Sequence, residues 1–384
     1  MAIFVCCEKG FVESVWGDVK IGALFDEAAR KRIPCKLIHS RAELEECKDL
    51  LENEYSSLII MSPSEKRLHD RLAEFDGIDI HKIIYSNHSF SVDVGTYSCV
   101  VTDIKKSTDD TIKYLVDLGC SKIALFGIDK KGGQDALRCS AYEKHIAALH
   151  SPLVFEGSGK DGLLSLFYEC LSKLFRCEEK IDAIITAYDY QAVYLMHILN
   201  GIAPDWRSKI KIIGYGDMLL PSLVTPSVSS VSLRYAESAP VIVSLHRMMY
   251  KNDEISRVQI LIGYKIFKRE STEFNGSEGM VFSGCKTDPS GLAKEAEYIE
   301  RFLNLERLLY KFDKLDFLIL YGIYHATSLT DLADSLYLSI GTVKYRVKKY
   351  REQLRVSSTE GFRNIIRSII DSDKFDAFMS TLEK

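Results

Sequence analysis

The sequence predicts an α/β chain of two linked lobes, each a parallel sheet flanked by helices, followed by an all-α domain at the C-terminal end. Three observations predict it. Short β-branched or apolar runs alternate with amphipathic segments through residues 1–272, the alternation stops after Arg269-Glu-Ser-Thr272, and from Leu315 onward only helical periodicity remains. At 384 residues, 46% hydrophobic and 27% charged with eight prolines, the chain is long enough for two or three domains with a sizeable core.

The strand candidates, in order, are Ile3–Cys7, Cys35–Ile38, Ser57–Met61, Lys82–Tyr85, Cys99–Thr102, Lys122–Phe126, Pro152–Phe155, Ile181–Thr186 and Lys211–Ile213. Helical patterns lie between most of them, among them Val15–Lys31, Ser107–Leu118 and Leu163–Phe175. Alternation of this kind means parallel strands covered by helices on both faces. So many units exceed one comfortable sheet, hence two lobes in residues 1–272, with lobe crossings near 101–106 and 231–235. Glu273–Gly291 is polar and contains Gly and Ser, as a linker does. In Leu292–Phe312, residues Tyr298, Phe302, Leu305, Leu309 and Phe312 recur at spacings of four and three. Two roles stand open for that stripe: a helix packed on its own chain, or a homodimer seam running over Tyr298–Phe312. Residues 273–314 are therefore a linker with a candidate dimerising helix, and residues 315–384 a separate helical domain.

A formal net charge of −4 confines any nucleic-acid site to a local patch. The apolar run at Met1–Glu8 is about six residues with no basic lead, short of a secretory segment. No stretch approaches the roughly 18 apolar residues of a membrane span. A cytoplasmic protein without membrane contact is expected. Ten cysteines are scattered without a Cys-x-x-Cys pair, which suits buried reduced thiols and no metal site. Cys6 and Cys7, adjacent on a strand, point to opposite faces.

The most specific local pattern is Ser328-Leu-Thr-Asp-Leu-Ala-Asp-Ser-Leu-Tyr-Leu-Ser-Ile-Gly-Thr-Val-Lys344. Leu329, Leu332, Ala333 and Leu336 form one apolar helix face, Leu338 closes a turn, and Ser339 is a good N-cap for a second helix. That helix turns Val343, Val347, Tyr350 and Leu354 inward and presents Ser339, Thr342, Lys344, Tyr345, Arg346, Lys348 and Lys349 on its other side. Between Lys344 and Arg367 stand eight Lys/Arg against two Glu. A helix with polar N-terminal residues flanked by cations suits the major groove of double-stranded DNA, although a basic face alone is more often a solvated one. The spacing over about residues 315–370 resembles the LuxR/GerE-type helix-turn-helix, in Leu332-Ala333, Leu336, Leu338-Ser339, Thr342-Val343-Lys344, Val347, Leu354 and Val356. It departs at Arg346, where that family commonly has His, at Gln353, where Lys is usual, and at Lys314-Leu-Asp-Phe317, which replaces a T-x-R-E opening.

Upstream, a different set of motifs recurs in order: Cys99-Val-Val-Thr-Asp103, then Leu115-Val-Asp-Leu-Gly119-Cys-Ser-Lys-Ile123-Ala, Arg138 with Tyr142, Asp182-Ala-Ile-Ile-Thr-Ala-Tyr-Asp189-Tyr-Gln-Ala192, Ile212-Ile-Gly214-Tyr-Gly-Asp217, Thr225-Pro226 and Arg269-Glu-Ser-Thr272. Together they resemble the periplasmic-binding-protein-like effector domain of the LacI/GalR family. The resemblance implies a transcriptional regulator whose effector, a sugar in many members, binds between two lobes. Ligands of open α/β sheets sit beyond the carboxyl ends of strands, and Ser62, Asn87, Asp103, Tyr188, Asp189 and Asp217 fall at such ends. Arg138 adds a planar fork, and Trp16, opening the first helix, an aromatic wall. Acids, amides and an Arg beside an aromatic are how a polyhydroxyl ligand is held. Capping or turn roles remain the alternative for each. Ile104 and Tyr188 stand where the family usually has Asn, and the order of domains is reversed, with the DNA-reading helices last.

Two further readings stay open. Gly157-Ser-Gly-Lys-Asp-Gly162 satisfies G-x-G-x-x-G between a strand and a helix, which would suit an α/β enzyme with a dinucleotide. Alternatively the C-terminal helices bind a protein partner. No H-x-x-x-H pair, no G-x-S-x-G elbow and no P-loop lysine occurs, so the expectation is no enzyme, no catalytic residue and no cofactor.

Overall fold

The computed structural model describes the chain apart from residues 13–14, 53–54, 63–64, 87–96, 130–131, 160–161, 253, 275–277, 284–288 and 383–384. The first elements are β1 (Ala2–Cys6), α1 (Lys9–Val12), α2 (Val15–Arg30), β2 (Cys35–Ile38), α3 (Arg41–Glu45), α4 (Lys48–Glu52), β3 (Ser56–Ile60), α5 (Glu65–Glu74), β4 (His81–Ser86), β5 (Ser98–Thr102), α6 (Ile104–Asp117), β6 (Ile123–Asp129), α7 (Gly133–Ile146) and β7 (Val154–Gly157). The middle continues with α8 (Leu163–Leu174), β8 (Lys180–Ile181), β9 (Ala183–Thr186), α9 (Asp189–Ile202), β10 (Lys211–Tyr215), α10 (Leu220–Leu223), β11 (Ser229–Ser232), α11 (Tyr235–Lys251), β12 (Gln259–Ile262), β13 (Lys265–Phe267), α12 (Glu270–Glu273) and β14 (Met280–Val281). The last elements are α13 (Pro289–Leu309), α14 (Lys314–Tyr324), α15 (Leu329–Ser335), α16 (Ile340–Gln353), α17 (Thr359–Ile369) and α18 (Ser372–Leu382). The architecture is α/β, with parallel sheets flanked by helices and an all-α C-terminal part. Each expected strand finds a strand at its place, although the one expected at Lys122–Phe126 runs on to Asp129 and the one expected at Ile181–Thr186 divides into β8 and β9. The chain divides into two compact units, Met1–Cys170 with Val231–Ile266, and Leu171–Ser230 with Phe267–Lys384.

The first unit holds a six-stranded sheet in the order β12-β5-β4-β3-β1-β2, parallel throughout. The two-residue period of a strand sorts its side chains into two cores. Ile3, Val5, Ile59 and Val100 pack on one face with Leu24 and Ala28 of α2 and Ile242 of α11. Phe4, Leu58, Ile60 and Ile84 pack on the other with Leu44, Leu68 and Phe75. Cys6 belongs to the second core and Cys7 to the first, and burial pushes both thiols up to about 12. All described cysteines are free. β12 lacked a sequence signal of core type, because it is an edge strand whose Leu261 is 61% exposed. β6 and β7 pair in parallel within the same unit.

In the second unit β9 and β10 pair in parallel, β11 lies beside β10, and β8 pairs antiparallel with β14. The polar stretch 273–291 is not all linker: its apolar Met280 and Phe282 are buried. The helices from α14 onward start on polar caps placed by sequence. Asp313 accepts from the Asp316 N–H (2.7 Å), Ser328 from Asp331 (3.0 Å), Ser339 from Thr342 (3.1 Å) and Ser358 from Gly361 (2.9 Å). Their ends share one device. Ala326, Tyr337 and Arg355 have positive φ, and the next N–H bonds back to Gly322, Ala333 and Arg351 respectively. That is a Schellman closure, here without glycine. Gly322 is needed for another reason: a Cβ there would lie 2.1 Å from Leu332 Cδ2, so its absence lets α15 close on α14.

Of the two roles left open for the Tyr298–Phe312 stripe, packing on its own chain is the one the structure supports. Phe302 and Leu305 are fully buried and Leu309 is 2% exposed, because α13 packs on α9, α16 and α17 of its own chain. Tyr298 stacks flat on His197 (centroids 4.0 Å apart) and Phe312 against Tyr350. The stripe is core. Among the described residues no helix is long and apolar enough to cross a membrane, and no cluster of three or more His, Cys, Asp or Glu could hold a metal.

Candidate functional site

In the first unit, Ser62 lies buried just beyond β3. Asp103 ends β5 and caps α6, its carboxylate accepting the Lys106 N–H at 3.0 Å. Trp16 is in the first turn of α2, with its side chain outside the described residues, as is the whole of Asn87. Arg138 is fully buried on α7 and donates to Asp135, one turn earlier, which also accepts the Asp129 N–H at 2.9 Å. Burial raises the Asp135 pKa and the Arg138 charge opposes that rise. The expected outward fork of Arg138 is thus an internal ion pair holding the α7 start against β6.

The second unit gathers the other three. Tyr188 caps α9 with its ring stacked on Tyr190 (5.6 Å). Asp189 is fully buried, accepting from Ser230 Oγ (2.6 Å) and the Met218 N–H (2.9 Å). Burial, helped by the Asp217 charge, pushes its pKa up to about 7 against those two hydrogen bonds. Gly214 is required beside it, since a Cβ would stand 2.3 Å from Asp189 Oδ1. Asp217, at φ +54, donates its N–H to Ser230 Oγ (2.9 Å) and pairs with Arg269 at 2.7 Å. Asp217 and Arg269 are each about a fifth exposed, so this pair, rather than Asp189, offers polar atoms to a ligand. Asp189 supports the loop from behind.

Two residues escaped the sequence reading. Arg269 was visible only as part of a motif. Glu306 of α13 is fully buried and accepts the N–H groups of Leu219 (2.7 Å) and Leu220 (2.8 Å) at the start of α10. Burial pushes its pKa up to about 8, with Asp189 and Asp217 adding to the rise. The signal was there: Glu306 follows Phe302 by four and precedes Leu309 by three, an acid on the apolar stripe. Residues 217–220 therefore carry Asp217 at one end and the α13 attachment at the other.

The glycine loop after β7 has its own occupants. Glu169 accepts the Ser158 N–H (2.8 Å) and hydroxyl (2.9 Å), where a phosphate would need donors, and a Cβ at Gly157 would strike Leu166 (2.8 Å). Lys160 and Asp161 lie outside the described residues.

On α16, Val343, Val347 and Tyr350 are buried, while Ser339, Thr342, Lys344, Tyr345, Lys348 and Lys349 are exposed. Lys349 Nζ sits 4.7 Å from the Tyr345 ring centroid, and Lys348 is 3.8 Å from Glu352. Arg346, expected on the same exposed side, is turned to α14, where it pairs with Asp313 (3.0 Å) and Asp316, and Tyr350 Oη also donates to Asp316. Those carboxylates raise the Arg346 pKa, Asp316 most. Its position three residues from buried Val343 and four from Tyr350 puts it at the edge of the packed face.

Residues 112–272 match the model of the periplasmic binding protein-like domain. Catabolite control protein A of Staphylococcus xylosus is 25% identical over 182 residues, 46% of this chain and 53% of that protein, so the chain spans about half the length of the curated relative it matches. The solved lac repressor dimer bound to operator and an anti-inducer is similar at a TM-score of 0.55 and 15% identity, covering 70% of this chain and 93% of that one. A LacI family regulator from Enterococcus faecium with bound ribose gives 0.54 and 14%, covering 72% and 99%.

Proposed function

We propose that this chain is a cytoplasmic, ligand-responsive transcription regulator, in which residues 1–272 bind a small polar metabolite and residues 315–384 bind double-stranded DNA as a helix-turn-helix. The observation that carries the DNA half is the exposed lysine-rich side of α16 opposite the side that buries Val343, Val347 and Tyr350. A groove-entering helix needs that division, with cations at its rim to neutralise phosphates. The sensing half is supported by the domain match and by the bound ribose of the Enterococcus faecium regulator. In the second unit Tyr188 and Asp217 with Arg269 are the groups proposed to hold the ligand, with Asp189 behind them; in the first unit, taken by itself, Ser62 and Asp103 are the proposed contacts and the Arg138–Asp135 pair braces α7. Two copies acting together, as in the lac repressor dimer, belong to the same proposal, through a surface other than the α13 stripe.

Coupling would pass along residues 217–220. A ligand that engages Asp217 and Arg269 pulls on the segment in which Glu306 holds the N–H groups of Leu219 and Leu220, and a short connection joins α13 to α14. A ligand shifts such an equilibrium only by its difference in affinity for the two states.

The test is duplex binding by the full chain, followed by fluorescence anisotropy across salt concentrations. The slope of log affinity against log salt should fall by about 0.9 for each phosphate that is no longer neutralised. Lys348→Ala and Lys349→Ala together should flatten it by about that much to twice that much, while sugar-induced thermal stabilisation persists. Failure of any duplex to bind at low salt removes the DNA half of the proposal.

A further inference from the structure

The side chains left exposed on α16 form an unusual inventory for a groove-reading surface. Guanine is ordinarily taken by Arg or Lys, adenine by Asn or Gln in bidentate fashion, and cytosine by Asp or Glu, whereas thymine offers a C5-methyl to an apolar contact. From Ser339 to Lys349 the chain carries no Asn, Gln, Asp or Glu, and its one Arg is the Arg346 held by Asp313 and Asp316. Gln353 is 13 residues beyond Ile340, about 20 Å along the axis, too far to enter with the N-terminal turns. The hydroxyls of Ser339 and Thr342 are engaged with each other at 2.9 Å in the cap, and Thr342 as a whole is exposed, so its methyl is the feature the cap does not use. What remains at this end is apolar: Ile340 is 38% exposed, Tyr345 60%, and Tyr337 in the preceding turn 96%, three of the few large apolar side chains the described chain exposes. Exposed apolar groups at the mouth of a helix pair are a cost in water unless a partner covers them.

Resting on the DNA-binding reading above, we propose that this surface selects its site chiefly through thymine methyl groups, contacted by Ile340, Thr342 and Tyr345, with Lys344 the only side chain there suited to a guanine edge. Lys348 and Lys349 serve phosphates, and the Lys349–Tyr345 contact steadies the ring that meets the methyl. The preferred site is accordingly rich in A·T pairs at the positions under the N-terminal turns of α16, without a run of invariant guanines.

The experiment selects duplexes from a random library with the full chain, then rebuilds the tightest one with deoxyuridine in place of each thymidine in turn. Removal of one contacted methyl should weaken binding about fourfold. Replacing that uracil by 5-bromouracil, whose bromine is methyl-sized, should restore it. In Ile340→Ala or Tyr345→Ala the same thymine-to-uracil change should lose its effect, which separates contact from altered duplex shape. A selected site that binds equally well with uracil throughout, or a consensus fixed by guanines, overturns the thymine proposal while leaving DNA binding intact. If no duplex is retained, the DNA-binding reading itself fails, and this inference with it.

Discussion

Two clusters of charge in the second unit, Leu171–Ser230 with Phe267–Lys384, are built on opposite terms. Around residues 217–220, the carboxylates of Asp189 and Glu306 are fully buried, and each is held by two hydrogen bonds that the fold supplies. Along α16, the lysines are exposed, and their partners are a ring, a distant carboxylate or solvent. The difference shows what burial does to a charge. Inside, removing one partner leaves donors stranded, so such residues govern stability and geometry. Outside, solvent screens the same charge, and its use is to meet something else.

The largest expected effect tests the inside. Glu306→Leu strands the N–H groups of Leu219 and Leu220 and should lower stability by about 2–4 kcal/mol, measured as a drop in urea midpoint. A decrease below roughly 1 kcal/mol would mean the helix start finds other acceptors, and the contrast between buried and exposed charge would weaken.

The second concerns pH. Asp189 and Glu306 rise from 3.8 and 4.5 to about 7 and about 8 on folding, so the folded chain binds more protons than the unfolded one in between. Stability contributed by these groups therefore falls as pH rises from about 4 to 8 and levels above that. Chemical denaturation at pH 5 and pH 9 checks the sign. Glu306→Gln should remove its share of the slope while keeping one of the two hydrogen bonds.

Arg346 sharpens the comparison from the outside. Arg346→Ala should cost about 1 kcal/mol of stability, because its pairs with Asp313 and Asp316 are partly screened. It should leave the salt slope of DNA binding unchanged, whereas Lys348→Ala does the reverse. The smallest effect belongs to Ala326→Gly: relieving one left-handed residue should raise stability by about 1 kcal/mol or less, read as a small rise in melting temperature.

The strands and the Ser339 cap were legible because their signals are local. Ser328 and Ser358 cap helices in the same way, for reasons contained in three residues of chain, and were not singled out. The helix ends were not legible, because Ala326, Tyr337 and Arg355 replace the glycine that marks such a stop. The fate of a partner depends on distant residues. Arg138 was read only as a motif residue and a planar fork, and the position of Asp135 one turn away on α7 is what decides that it pairs internally. The α13 stripe had a correct period, and period alone is silent about which surface covers it. Glu306 sits in the pattern as an acid among apolar residues, a signal that was not read, and the N–H groups it serves lie 86 and 87 residues away in sequence.

The back-to-back cysteines on β1 carry a consequence of their own. Cys6 and Cys7 look into separate cores of one sheet, and both thiols stay protonated near neutrality, so a soluble alkylating reagent reaches either one only through a transient opening. Their two modification rates, followed by peptide mass, become independent clocks for the two sides of the sheet. A metabolite that quiets one clock without the other identifies the helical layer on which it acts.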